Sequence, residues 1–98
     1  MKRTVLWDPA AWAEVEDAFD YYAERSRRAA EAFRSEIILA VERLAESAEA
    51  YPLFDEGVRR CLLDKYPFGI LFVVDDDHVV IVVVMHTSRR PGYWKNPP

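Results

Sequence analysis

Val79-Val80-Ile81-Val82-Val83-Val84-Met85 runs directly into His86-Thr87-Ser88-Arg89-Arg90-Pro91-Gly92-Tyr93-Trp94-Lys95. The first stretch is almost wholly β-branched and has no polar position. Side chains of a strand alternate between two faces, so this pattern predicts a strand buried on both sides. At its exit the composition changes at once. A histidine, three cations, a tyrosine and a tryptophan fall within ten residues. Such a mixture suits a surface that holds a polyanion or a partner protein, and the rest of the chain reads as its scaffold.

Upstream, Asp75-Asp76-Asp77-His78 reads as a turn, although it lacks the glycine of a tight primed hairpin. Phe68 to Val74 is a second apolar strand. Tyr66-Pro67 separates it from a third, Val58 to Asp64. The short links predict a three-stranded antiparallel meander.

The first half has a helical period instead. Thr4 to Trp7 is a short strand. Asp8 is placed to cap a helix, and Pro9 suits its first position, where a missing N–H costs nothing. Trp12, Val15, Phe19 and Tyr22 follow at helical spacing. Arg25-Ser26-Arg27-Arg28 is a break with Ser26 as the next cap. Ala30, Phe33, Ile37, Val41 and Leu44 form the second stripe, which ends near Ser47. The class is α+β: strand, two-helix antiparallel hairpin, three-stranded meander, basic-aromatic tail. One helical hairpin covers one face of a sheet. The other apolar face then requires the tail, a second copy or a partner.

The 98 residues suit one domain, 1–98, and half are hydrophobic. A single cysteine, Cys61, excludes an internal disulfide and suits a buried thiol in a reducing compartment. Asp8 and Glu14 interrupt the N-terminal apolar run, so no secretory signal is expected. Val79 to Met85 is far short of the roughly 20 residues needed to span a bilayer. A cytoplasmic protein without membrane contact is the expectation.

The net charge of −4 is uneven. Residues 1–56 carry seven Lys/Arg and thirteen Asp/Glu, whereas residues 57–98 carry six and four. An acidic whole argues against general nucleic-acid binding, and a basic end permits a focused anion site.

Within that end, His86, Arg89 and Tyr93 are the candidate catalytic set. A histidine transfers protons near neutral pH, an arginine stabilises charge on a phosphoryl group, and a tyrosine stacks or donates a proton. The alternative is a contact surface made of Arg60, Lys65, Arg89, Arg90 and Trp94. Alternation sends Arg59 and Arg60 to opposite faces, so only one can join it. Trp7, Trp12, Phe19, Tyr22 and Phe33 read as core. His78 and His86 stand at opposite ends of one strand, so no metal site is expected. Three glycines form no phosphate loop, and no cofactor is expected.

Several pieces in this order resemble the RelE/ParE toxins of type II toxin–antitoxin systems, the plasmid stabilisation proteins. They are Trp7-Asp8-Pro9-Ala10-Ala11, Phe19-Asp20-Tyr21-Tyr22-Ala23, Gly57-Val58-Arg59-Arg60, Lys65-Tyr66-Pro67-Phe68-Gly69-Ile70 and His86 to Trp94. The resemblance implies a cognate antitoxin that wraps the toxin as a hetero-oligomer, with Phe19, Leu71 and Val73 as contacts. It also implies one of two activities. RelE-like members cut mRNA on the ribosome with basic residues across the sheet and a tail arginine and tyrosine. ParE-like members bind DNA gyrase. Phe68 to Val74 holds no cation, and Asp64 stands where the family often has a basic residue. Both features favour the ParE-like activity, with the endoribonuclease as the alternative.

Overall fold

Asp8 and Ser26 begin both helices as the sequence predicts. The computed structural model describes residues 2–88. Strand β1 is Thr4–Trp7, helix α1 Pro9–Ala23 and helix α2 Arg27–Ser47. The Asp8 carboxylate accepts from the Ala10 N–H at 2.8 Å, and Ser26 Oγ accepts from the Ala29 N–H at 3.1 Å. Each cap satisfies a donor that the first turn leaves without a partner. A short 3-10 turn, Ala48–Ala50, leads into β2 (Leu53–Asp55), β3 (Val58–Leu62), β4 (Phe68–Val74) and β5 (His78–His86). Gly57, with φ of 69°, makes the turn between β2 and β3 in a conformation that suits glycine.

The five strands form one mixed sheet in the order β1-β5-β4-β3-β2. The meander is present as β3, β4 and β5. Two features go beyond the sequence reading. β1 lies parallel to β5, with Thr4 beside His78 and Trp7 beside Ile81. β2 adds a short antiparallel edge to β3. The β3 strand also stops at Leu62 rather than Asp64. There α2 intervenes: Glu36 Oε1 accepts from the Asp64 N–H at 2.6 Å and the Lys65 N–H at 3.1 Å. Those donors serve the helix and not a ladder.

The valine run of β5 has its own device. Phe72 pairs with Ile81 and Leu71 with Val83, so Val82 is an extra residue, a β-bulge. Val79, Ile81 and Val84 consequently face the helices, and Val82, Val83 and Met85 belong to the opposite face. On the helix side they meet Ile70 and Phe72 of β4, Cys61 of β3, Ala11, Val15 and Ala18 of α1, and Phe33, Ile37, Ala40 and Leu44 of α2.

The opposite face holds Val58, Leu71, Val83 and Met85, ringed by Phe54, Val73 and Val82. The first four are buried. That face is thus less open than the sequence suggests. Its exposed apolar residues, Leu6 and Leu62, sit on β1 and β3 to either side of the β4–β5 centre.

Candidate functional site

A concave apolar surface lies on the helices. A groove of about 530 Å³ runs between α1 and α2. Phe33 is at its floor and fully buried. Its walls are Trp12, Val15 and Phe19 from α1 and Ile37, Ile38 and Val41 from α2, with Trp7 at one end. Trp12 and Ile38 are each 46% exposed, one on each wall. Trp7 and Trp12 meet edge to face, with ring centroids 5.2 Å apart. Glu16, Asp20, Arg34 and Glu42 complete the lining. A concave surface with an apolar floor and charged residues in its lining suits a ligand or a partner side-chain cluster.

Composition did not mark this groove, because its aromatics read as core. Phe33 is core, but Trp12 is half open. One signal was available: Ile37-Ile38-Leu39 puts three large apolar residues in a row on α2. That spans a wider arc than one sheet face can cover, and Ile38 and Leu39 are both exposed.

Among the described residues, the expected site residues lie in different places. Phe19 lines the groove, whereas Leu71 and Val73 lie on the sheet face away from the helices. Leu71 is also fully buried. Arg60 pairs with Leu71 and shares its face, where the guanidinium stacks 4.6 Å over the Phe54 ring. His86 pairs with Phe68 and sits on the helix side, the two rings edge to face at 5.3 Å. Arg60 and His86 therefore lie on opposite faces. Lys65 is exposed in the loop that leads into Phe68, so it shares one end of the sheet with His86. Arg89, Arg90, Tyr93 and Trp94 lie outside the described residues.

His86 has a defined hydrogen-bonding state. Its Nδ1 accepts from the Ser88 N–H at 3.2 Å and lies 2.7 Å from Ser88 Oγ. Nδ1 is thus occupied as an acceptor, and Nε2 is the nitrogen left to carry a proton or meet a substrate.

Elsewhere the perturbed groups serve the fold. Burial pushes the Cys61 thiol up, which makes a thiolate nucleophile unfavourable. Burial likewise raises Tyr22 and Tyr51. Backbone N–H groups of His78 and Asp77 hold Asp75 below the usual carboxylate range. A hydrogen bond from Arg3 does the same for Glu49. Among the described residues no cluster of three or more His, Cys, Asp or Glu is arranged to hold a metal, and no helix is long and apolar enough to cross a membrane.

Comparison with solved structures gives a chain titled as the chromosomal ParDE toxin–antitoxin system from P. aeruginosa. It superposes with a TM-score of 0.77 at 22% identity, covering 89% of this chain and 98% of that one. At that identity the likeness establishes the fold. No protein of curated function matches. The family model of the ParE toxin of type II toxin–antitoxin systems, parDE, matches residues 5–91, nearly the whole length. With the strand, helical hairpin and bulged sheet described above, this chain belongs to the ParE toxin family of type II toxin–antitoxin systems.

Proposed function

We propose that the protein arrests growth by binding DNA gyrase and is neutralised by a cognate antitoxin seated in the α1–α2 groove. The observation that carries the choice of target is the distribution of cations. Phosphoryl chemistry on RNA needs several positive or proton-transferring groups around one phosphate. Here β4, the sheet's middle strand, contributes none. Arg60 and His86 stand on opposite faces, and Arg60 is stacked on Phe54. A contact surface makes no such demand, since large aromatics and arginines dominate protein interfaces without converging on one atom.

The groove supports the antitoxin half of the reading. Trp12 and Ile38 expose apolar area in a concave site, which a partner would cover. Two experiments test the proposal. Induction of the protein alone should stop growth, and co-expression of the small protein encoded beside it should restore growth. The purified protein should inhibit gyrase supercoiling and leave mRNA intact in a translating extract. Ribosome-dependent mRNA cleavage with unaffected gyrase would establish the endoribonuclease instead, with His86 Nε2 as its proton-transfer group.

A further inference from the structure

We propose that Tyr93 packs over Leu71 and Val83 on the sheet face away from the helices, and so holds Trp94 outward as a contact residue. Four side chains of that face are buried: Leu71 is 0% exposed, Met85 5%, Val83 7% and Val58 8%. Strand side chains stand roughly perpendicular to their sheet. Neighbours on the same sheet shield their flanks, but only a second layer covers their tips. Both helices pack on the opposite face. Among the described residues, the hydrophobic side chains packed against these four are Phe54, Val73 and Val82, all from strands of the same sheet. Arg60, beside Leu71, turns its guanidinium to the Phe54 ring on β2 and so away from Leu71. The burial belongs to a single chain, so neither a second copy nor a partner supplies the covering layer. Met1 precedes β1, beside the start of β5. Residues 89–98, which follow the end of β5 and lie outside the described residues, are the chain left to supply it.

Length and composition point to Tyr93. Val83 pairs with Leu71 and stands three residues before the end of β5, about 10 Å along the strand, and a covering layer lies about 10 Å above a sheet. Thr87 and Ser88 turn the chain, with the Thr87 N–H donating to the Pro67 carbonyl at 2.8 Å and the Ser88 N–H to His86 Nδ1 at 3.2 Å. From Ser88 the five residues to Tyr93 span up to about 17 Å, against the roughly 14 Å required. Tyr93 is the first residue of the tail with a large apolar body, and its hydroxyl can stay in water at the rim. Successive residues of an extended chain point to opposite sides, so Trp94 then faces solvent. The packing stands without the gyrase reading, and only the use of Trp94 rests on it.

Nuclear Overhauser spectra of the full chain test the placement directly. They should connect the Tyr93 ring protons to the methyls of Leu71 and Val83. Tyr93→Ala should lower the melting temperature by roughly 10 °C, and Tyr93→Phe should recover most of that loss, because the ring is what covers the face. Trp94→Ala should stay within about 2 °C of the parent. In Val83→Ala/Tyr93→Ala the loss should fall short of the two single losses added together, the mark of residues in contact. Missing Overhauser contacts, additive losses, or a Trp94→Ala loss as large as that of Tyr93→Ala would overturn the inference. A dimer in sedimentation whose dissociation on dilution exposes the face to a hydrophobic dye would assign the face to a second copy, and would overturn it equally. Gyrase inhibition is scored separately on the same variants. Contacts and coupling without inhibition sink the gyrase reading alone, whereas inhibition without contacts sinks the packing alone.

Discussion

Phe33→Ala and Ile38→Ala should separate the groove's floor from its wall. Phe33 has no exposed surface and touches three rings: Tyr22 at 5.5 Å, Tyr66 at 5.4 Å and Phe68 at 5.6 Å between centroids. Truncation removes the ring from the core and leaves a hole that α2, fixed to the β3–β4 loop by Glu36, cannot close. Such substitutions cost about 3–5 kcal/mol. A chain of 98 residues unfolds with an entropy near 0.2 kcal/mol/K, so a loss of about 4 kcal/mol lowers the melting temperature by roughly 20 °C. That is a large share of the roughly 5–15 kcal/mol that holds a domain together. Ile38 is half exposed on the same helix, so Ile38→Ala should cost about 1 kcal/mol or less. Better helix propensity of alanine offsets part of even that. The order should invert for partner binding, where Ile38→Ala weakens neutralisation although the fold stays intact. Urea unfolding, read with its slope, measures the first comparison, and titration of the antitoxin measures the second. Equal stability losses, or a Phe33→Ala loss under about 1.5 kcal/mol, would refute the assignment of floor and wall.

Three further outcomes are expected. Asp75 is held below its ordinary range by two backbone donors, so its stabilisation is present above the unfolded value near 3.9 and is lost as pH falls through the lower folded value. Asp75→Asn should thus be less stable than the parent at neutral pH, with the gap closing below about pH 4 in acid melts. A gap independent of pH would show that shape and not charge holds the turn. Cys61 is buried with a raised thiol, so native protein should resist thiol reagents that modify it quickly in denaturant. Fast native modification would contradict that burial. In the tail, Tyr93→Phe should barely change gyrase inhibition, whereas Trp94→Ala should reduce it strongly, because a docking surface loses a ring in only one of the two. A loss of roughly 10²–10⁴-fold in Tyr93→Phe would instead mark a proton-transfer group.

What the sequence revealed follows from how local each signal is. Asp8-Pro9 and Ser26 mark helix starts because a cap acts within three residues. The parallel pairing of β1 with β5 joins residues 74 apart, Thr4 and His78, and no local pattern encodes that. β2 is three residues long behind Pro52, too short to show alternation. The Val82 bulge is invisible for another reason. In a run that is apolar at every position, an extra residue leaves no polar mark to betray its phase. Alternation did place Arg59 and Arg60 correctly. Arg59 turns to the Tyr51 carbonyl at 2.6 Å, and Arg60 turns to Phe54 on the other face. The candidate site was legible only in part, since its residues follow from exposure, which composition does not report.

The bulge also explains why the apolar surplus ends up on the helices. A regular strand of nine residues would send five side chains to one face and four to the other. With Val82 extra, the face away from the helices gains a residue, and Val82, Val83 and Met85 fill it together with Leu71 and Val58. That face becomes a small core of its own with four buried residues. The helix face is completed by one side of each helix, through Ala11, Val15 and Ala18 and through Phe33, Ile37, Ala40 and Leu44. Trp12, Phe19 and Ile38 are then more than the sheet can use. A chain selected only to fold would lose little by making Ile38 polar, since the residue is half in water already. On the proposed docking, a tryptophan and an isoleucine on facing walls find their physical rationale in the bound state. The same side chains that contribute least to folding are thus the ones that a partner would recognise.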